Sequence, residues 1–160
     1  MQRKRIIFLV AVILGLGAVF WFYNPERAPT ERPAFEQSGF SITRADGTRF
    51  FFKAEVARSE EEQAYGLMFV RSMRDDEGMI FPYATPKLAA FWMKNTLIPL
   101  DMIFVRQGGT IGGIAADMQP EDVTPVILQE SVIAVIEINA GLAKKYGLET
   151  GNKVEFPINQ

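Results

Sequence analysis

Cysteine and histidine are both absent from this chain of 160 residues. Without thiols there are no disulfide bonds, no cysteine nucleophile and no lipid-modified cysteine. Without thiols and imidazoles, the usual ligands of zinc, haem and iron–sulfur clusters are missing as well. Every catalytic arrangement in which histidine activates serine or cysteine is also excluded. The side-chain chemistry that remains rests on carboxylates, amines, amides and thioethers.

Acidic residues are absent from the first 23 positions. Three basic residues, 3–5, precede an uncharged apolar run that begins at Ile6 and ends at Tyr23. As a helix this run would span roughly 27 Å, close to the ~30 Å of a hydrocarbon core. The basic residues predict a cytoplasmic N-terminus, and the aromatic end of the run is typical of a membrane interface. We expect a single-pass anchor in the cytoplasmic membrane, with the domain facing the periplasm or the extracellular side.

A cleaved signal peptide is the alternative interpretation of this segment. Gly15 and Gly17 would then be the small residues that precede the cleavage site. Cleavage there would leave residues 19–22, which are strongly apolar, at the new N-terminus. We therefore favour the uncleaved anchor, although secretion after cleavage would also place the domain outside the cytoplasm.

The remainder of the chain divides into a linker and one domain. Residues 24–36 contain three prolines and alternating charges, which predict an extended tether. Residues 37–160 are long enough to form a single β-rich domain. All 19 acidic residues follow Tyr23, so the part outside the membrane is acidic. It offers no basic stripe to neutralise phosphates, and we do not expect a nucleic-acid partner.

Short β-prone segments alternate with turn residues along the domain. This pattern predicts a compact small β-barrel or sandwich with two short helices, preceded by the transmembrane helix. A capping box of Ser59 and Glu62 predicts the start of the first helix. The segment 75–78, three acidic residues followed by Gly78, predicts a turn and not a calcium loop, because the remaining calcium ligands are missing. The central strand is expected to open at Phe91 and to resume at 100–105. The other expected strands are 40–42, 49–56, 111–115, 132–138 and 153–158. A second helix is expected at 141–146, and loops are expected at 82–86, 95–99 and 117–125.

The segment 100–105 is apolar on both faces, which indicates an interior strand. Alternation places one set of side chains on one face and the next set on the other. The first set is Leu100, Met102 and Phe104, and the second is Asp101, Ile103 and Val105.

Three charged residues lie in the most apolar surroundings: Lys94, Asp101 and Glu137. A charge in such a place must be paired or must face a cleft, because burying it alone is costly. One interpretation is a buried ion network that fixes strand register. The other is a pocket in which Lys94 binds an anionic ligand and the two carboxylates act as acid and base.

Three further residues complete the predicted binding site: Trp92, Asn95 and Asn139. Trp92 could line a groove for a glycan or a peptide, with core packing as the alternative. The two asparagines could instead satisfy backbone groups at turns.

Methionine thioethers raise the possibility of a Cu(I) site. The candidate ligands are Met68, Met79, Met93, Met102 and Met118. Core packing is the default role of methionine beside aromatic residues. We therefore expect the domain to fold without a metal ion or an organic cofactor.

Five motifs follow one another along the domain: Gly66-Leu67-Met68-Phe69, Gly78-Met79-Ile80-Phe81, Phe91-Trp92-Met93-Lys94-Asn95-Thr96, Pro99-Leu100-Asp101 and Glu137-Ile138-Asn139-Ala140-Gly141. Together they resemble the family known as domain of unknown function 192, over roughly residues 53–156. The resemblance implies a compact β-rich domain that is often exported in bacteria and often preceded by a signal or anchor segment. It implies no established activity.

Two hypotheses for function follow from these residues. The first is a non-catalytic module, tethered to the membrane, that binds a small molecule, a glycan or an envelope protein. The second is a small cofactor-free enzyme, similar to a hydrolase, that uses Asp101 and Glu137 together with Lys94. A shared cleft between the two carboxylates would favour the enzyme, whereas burial of each would favour a structural role.

Overall fold

A computed structural model describes residues 31–157 of the chain. The predicted anchor, most of the predicted linker and the last three residues lie outside this range. Within it, no helix is both long and apolar enough to cross a membrane. The elements are β1 (Glu36–Thr43), β2 (Arg49–Val56), α1 (Glu60–Tyr65), β3 (Glu77–Lys87), β4 (Ala90–Phe91), β5 (Leu100–Arg106), β6 (Thr110–Met118), β7 (Val126–Ile127), β8 (Val132–Asn139), α2 (Leu142–Lys145) and β9 (Lys153–Glu155).

Seven of these strands form a ring in the order β1-β2-β3-β8-β5-β6-β9, which closes where β9 pairs with β1. The junction of β6 and β9 is a single pair, Thr110 with Lys153, so the ring is not a regular barrel. β4 and β7 form a separate two-stranded sheet. The predicted class, mainly β with two short helices, is confirmed.

The first helix connects the only parallel pair in the described ring, β2 and β3. Parallel neighbours need a crossover connection, and α1 lies within it. The predicted capping box is present: the Ser59 side chain accepts a hydrogen bond from the Glu62 amide, and the Glu62 carboxylate accepts one from the Ser59 amide. This local signal was sufficient to fix the start of the helix.

The buried apolar side chains form two clusters on opposite faces of the sheet. We call the first the ring core, because every strand of the ring contributes to it and α2 closes it. We call the second the outer cluster, because it packs between the strands and the connecting segments that carry Leu67, Met93 and Ile98. β5 confirms the predicted alternation: Leu100, Met102 and Phe104 belong to the outer cluster, whereas Ile103 and Val105 belong to the ring core.

Several predicted boundaries were wrong. β3 continues through the predicted loop 82–86, with an irregularity after Pro82. Its pairing with β2 ends at Ile80, so no amide of Pro82 is needed on that side. The central strand does not run through residues 92–94, because the strand at Phe91 is only two residues long. The strand β7 was missed, and β1 begins at Glu36, inside the predicted linker.

Candidate functional site

Asp101 lies at the start of β5, opposite Ile138 of β8, and its side chain faces the ring core. It is fully buried, and each carboxylate oxygen accepts a backbone hydrogen bond of 2.8 Å, one from Asp117 and one from Ala143. Ala143 is in the first turn of α2, whose N-cap, Gly141, supplies no side-chain cap. Asp101 therefore caps α2 from a neighbouring strand, which is a structural role.

Glu137 lies in β8 directly opposite two methionines, Met79 of β3 and Met102 of β5. Its side chain therefore faces the outer cluster. Only 5% of the residue is exposed, and its carboxyl makes no hydrogen bond or salt bridge with any residue in the range 31–157. Burial raises the pKa of Glu137 from 4.5 to about 8. An acid of this kind is largely protonated at neutral pH.

The electrostatic influence of Glu137 reaches Tyr83, the tyrosine of β3. Burial, and then the negative charge of Glu137, raise the pKa of the Tyr83 hydroxyl far above its usual range. No cationic side chain is among the causes that set the pKa of Glu137. The carboxyl is thus an acid held in an apolar environment, without a counter-charge among residues 31–157.

The two carboxylates do not share a cleft. Asp101 pairs with Ile138 and Glu137 pairs with Met102, so the two side chains lie on opposite faces of the same sheet. The predicted acid and base pair of Asp101 and Glu137 is therefore wrong. The register also rules out a single ion network around Lys94 that contains both carboxylates.

Lys94 lies in the connection between β4 and β5, and not in a strand. Its ammonium nitrogen lies 5.8 Å from the centre of the Trp92 ring, within range of a cation–π contact. No salt bridge between described residues joins Lys94 to Asp101 or to Glu137. Trp92 is 43% exposed, so its alternative role as a core residue is wrong.

Both asparagines of the predicted site hold turns together. The Asn139 side-chain amide donates to the Met73 carbonyl at 2.8 Å. Asn95 adopts a positive φ of 55°, its carbonyl accepts from the Phe69 amide, and its side-chain amide lies 3.6 Å from the Met68 sulfur. The predicted role, in which the side chain satisfies a backbone group, therefore holds for Asn139, whereas the Asn95 side chain contacts the Met68 sulfur.

Three connecting segments, 66–70, 92–98 and 119–124, are joined by backbone hydrogen bonds. Phe69 donates to Asn95, Met93 to Asp122 and Glu121 to Thr96, over 2.7–3.1 Å. These bonds are the reason that residues 92–98 do not continue the strand, since their backbone groups pair with other segments and not with a sheet.

This set of segments presents four exposed apolar side chains, which we call the loop face: Phe69, Trp92, Leu97 and Val123. Phe69 is 54% exposed and adopts a φ of 64°, which is strained for a bulky residue. Strained backbone of this kind clusters at binding and catalytic sites. From the sequence, Phe69 was noted only as part of a motif. The one signal that could have indicated its exposure is a large apolar residue within a turn-like segment.

Two shallow cavities, of about 380 and 440 Å³, lie elsewhere, around Phe51. Neither is lined by a residue of the predicted site. Among residues 31–157, no three carboxylates are grouped so as to hold a metal ion. The described chain therefore offers two features of functional interest, the loop face and the buried acid Glu137 beneath the outer cluster.

Comparison with known proteins gives a consistent result. The model of the family DUF192, described as an uncharacterized ACR, matches residues 41–156. A provisionally assigned transcription regulator from Sinorhizobium meliloti 1021 is 31% identical, with a TM-score of 0.76 over 79% of this chain and 98% of that one. A protein of unknown function from Novosphingobium aromaticivorans DSM 12444 is 43% identical, with a TM-score of 0.72 over 80% and 95%. No curated protein matches the chain.

Proposed function

Because the chain belongs to the uncharacterised family DUF192, we propose a function from its own surface: it is a non-catalytic binding module that engages an envelope protein through the loop face. The observation that carries this proposal is the exposure of Phe69, Trp92, Leu97 and Val123 on segments held by mutual backbone hydrogen bonds. Exposed apolar side chains on a rigid frame favour association, since little ordering is needed when a partner binds.

The loop face suits a protein partner better than the other candidate ligands. Small-molecule sites are concave, and the two cavities around Phe51 contain none of the four side chains. Aromatic residues such as Trp92 and Phe69 are enriched at protein interfaces. A glycan stacked on Trp92 is the second candidate, and Lys94 beside the ring would then contact its polar groups.

The enzyme hypothesis has no support in the described residues, because Asp101 and Glu137 face opposite sides of the sheet. Regulation of transcription, which the name of the Sinorhizobium protein indicates for that protein, is not favoured here either. The chain has more acidic than basic residues, with no basic stripe for phosphates.

The loop face is tested by placing a photo-crosslinking amino acid at Leu97 of the full chain in intact cells that produce it. We expect one discrete adduct, whose yield falls several-fold when Trp92→Ala is added. The matched control carries the crosslinker at Phe51, which is 71% exposed on another part of the surface. Equal adducts at both positions, or an adduct at Leu97 that does not depend on Trp92, would contradict the proposal.

The second part of the proposal is the location: residues 6–23 tether the domain to the outer side of the cytoplasmic membrane. An uncharged apolar run of this length behind three basic residues supports it. Intact mass spectrometry of the protein purified from membranes should give a chain that retains this run. A mass that lacks residues 1–17 or more would show cleavage and eliminate the anchor.

A further inference from the structure

The methionines of the described chain all lie in one of its two apolar clusters. All six that follow Met1 lie in the outer cluster, and the ring core contains none. Both clusters are buried cores of one domain, so a general need for flexible gap-filling side chains would not place every methionine in one of them. The six are Met68, Met73, Met79, Met93, Met102 and Met118.

Two of these methionines flank the buried acid. Met79, Glu137 and Met102 occupy directly opposed positions on the three adjacent strands β3, β8 and β5. Opposed side chains on neighbouring strands have Cβ atoms about 4.5–5.5 Å apart and share one face. One thioether side chain therefore lies on each side of the Glu137 carboxyl. All three side chains are flexible enough to bring the two sulfurs and the carboxyl together. Both methionines are fully buried.

The Glu137 carboxyl lacks a partner that its burial would lead one to expect. It makes no hydrogen bond or salt bridge with residues 31–157, although the residue is 95% buried. A buried carboxyl in apolar surroundings is normally paired or bound to a metal.

We propose that Met79, Met102 and Glu137 form a binding site for a soft monovalent metal ion, Cu(I), with two thioether sulfurs and one carboxylate oxygen as ligands. Thioether sulfur is a soft ligand that suits Cu(I), whereas magnesium and calcium prefer carboxylate, carbonyl or water oxygen. A monovalent ion beside one carboxylate is also electrically neutral, whereas a divalent ion would leave a net charge in an apolar cluster. The site is independent of the loop face, and it can exist whether or not the loop face binds a partner.

The test is a competition titration on the full chain in detergent micelles, under anaerobic conditions. Cu(I) is divided between the protein and a coloured chelator of known affinity, and the absorbance of the chelator complex gives the dissociation constant. We expect one Cu(I) per chain. X-ray absorption at the copper edge should show sulfur together with one lighter atom, oxygen or nitrogen.

Three variants assign the ligands: Met79→Leu, Met102→Leu and Glu137→Gln. Cores tolerate exchange of methionine and leucine because the volumes are similar. Loss of even an outer-shell partner weakens metal binding by about 10–100-fold, so each variant should lose at least tenfold in affinity. The matched control is Met68→Leu, since that sulfur already contacts the Asn95 amide, and its affinity should be unchanged. Circular dichroism checks that each variant is folded.

Two results would overturn the proposal. One is the absence of Cu(I) binding in competition with the chelator by the folded wild-type chain. The other is an affinity that is the same in Met79→Leu and Met102→Leu as in the wild type, or that falls equally in Met68→Leu. A Cu(I)-dependent rise in the melting temperature that is present in the wild type and lost in Met79→Leu would support it by an independent measurement.

Discussion

Replacing Asp101 with alanine is expected to lower the free energy of unfolding by on the order of 3–5 kcal/mol. The fully buried carboxylate accepts one backbone hydrogen bond from Asp117 and one from Ala143. Alanine removes both bonds and leaves two amides without acceptors. It also removes the cap of α2, because Gly141 has no side chain to replace it. Urea denaturation followed by circular dichroism measures the change.

Two variants make this result specific. Asp101→Asn keeps one acceptor oxygen, but its NH2 group then faces the other backbone amide, which is also a donor. We therefore expect roughly half of the alanine effect. Asp122→Ala is the control, because Asp122 also accepts a backbone hydrogen bond of 2.8 Å, from Thr124, but is exposed. Its stability should hardly change. An Asp101→Ala protein as stable as Asp122→Ala would show that the capping role is wrong.

Replacing Glu137 with glutamine should change how stability depends on pH in metal-free protein. Burial raises the pKa of Glu137 to about 8 in the folded chain, against 4.5 for the unperturbed group. Between these values the folded state holds a proton that the unfolded state has lost, so wild-type stability falls as the pH rises. The penalty is absent below about pH 4.5 and complete above about pH 8. The variant lacks this penalty.

The size of the effect follows from the two pKa values. Their difference corresponds to on the order of 4–5 kcal/mol at high pH. The free energy of unfolding of Glu137→Gln, minus that of the wild type, should therefore rise by about this amount between pH 4.5 and 9. The exposed Glu149→Gln serves as the control, and its difference from the wild type should stay flat. A flat difference for Glu137→Gln as well would contradict the burial of an unpaired acid.

A site that costs stability in this way is typical of residues retained for function. Asp101 and Glu137 looked alike in the sequence, as single acids within apolar strands. The structure assigns them opposite energetic roles, since one is fully hydrogen-bonded and the other has no partner among residues 31–157. The expected signs of the two substitutions therefore differ above pH 8: Asp101→Ala destabilises the chain, whereas Glu137→Gln relieves a penalty.

Local signals predicted the elements that depend on neighbouring residues. The alternation in 100–105 gave both faces of β5, and the capping box gave the start of α1. In each case the physical cause lies within a few positions of the residue concerned.

Features that depend on distant segments could not be predicted in the same way. Residues 92–94 were expected in the central strand, yet the segment 92–98 makes its backbone bonds to segments 66–70 and 119–124. Pro82 suggested a loop, but it lies beyond the part of β3 that pairs with β2. Whether Asp101 and Glu137 share a face depends on the register of β5 against β8, and a shift of one residue would have reversed the result.

The central claim is that Glu137 is a buried acid, separate from Asp101 and without a partner among residues 31–157. Titration of its carboxyl tests this claim most directly. Carbon-13 NMR of the side-chain carboxyl can follow it in metal-free full-length chain, in the wild type and in Asp101→Asn. We predict a midpoint near pH 8 in both proteins. A midpoint near 4.5, or one that falls markedly when Asp101 is neutralised, would contradict the account by showing an exposed acid or a coupled pair.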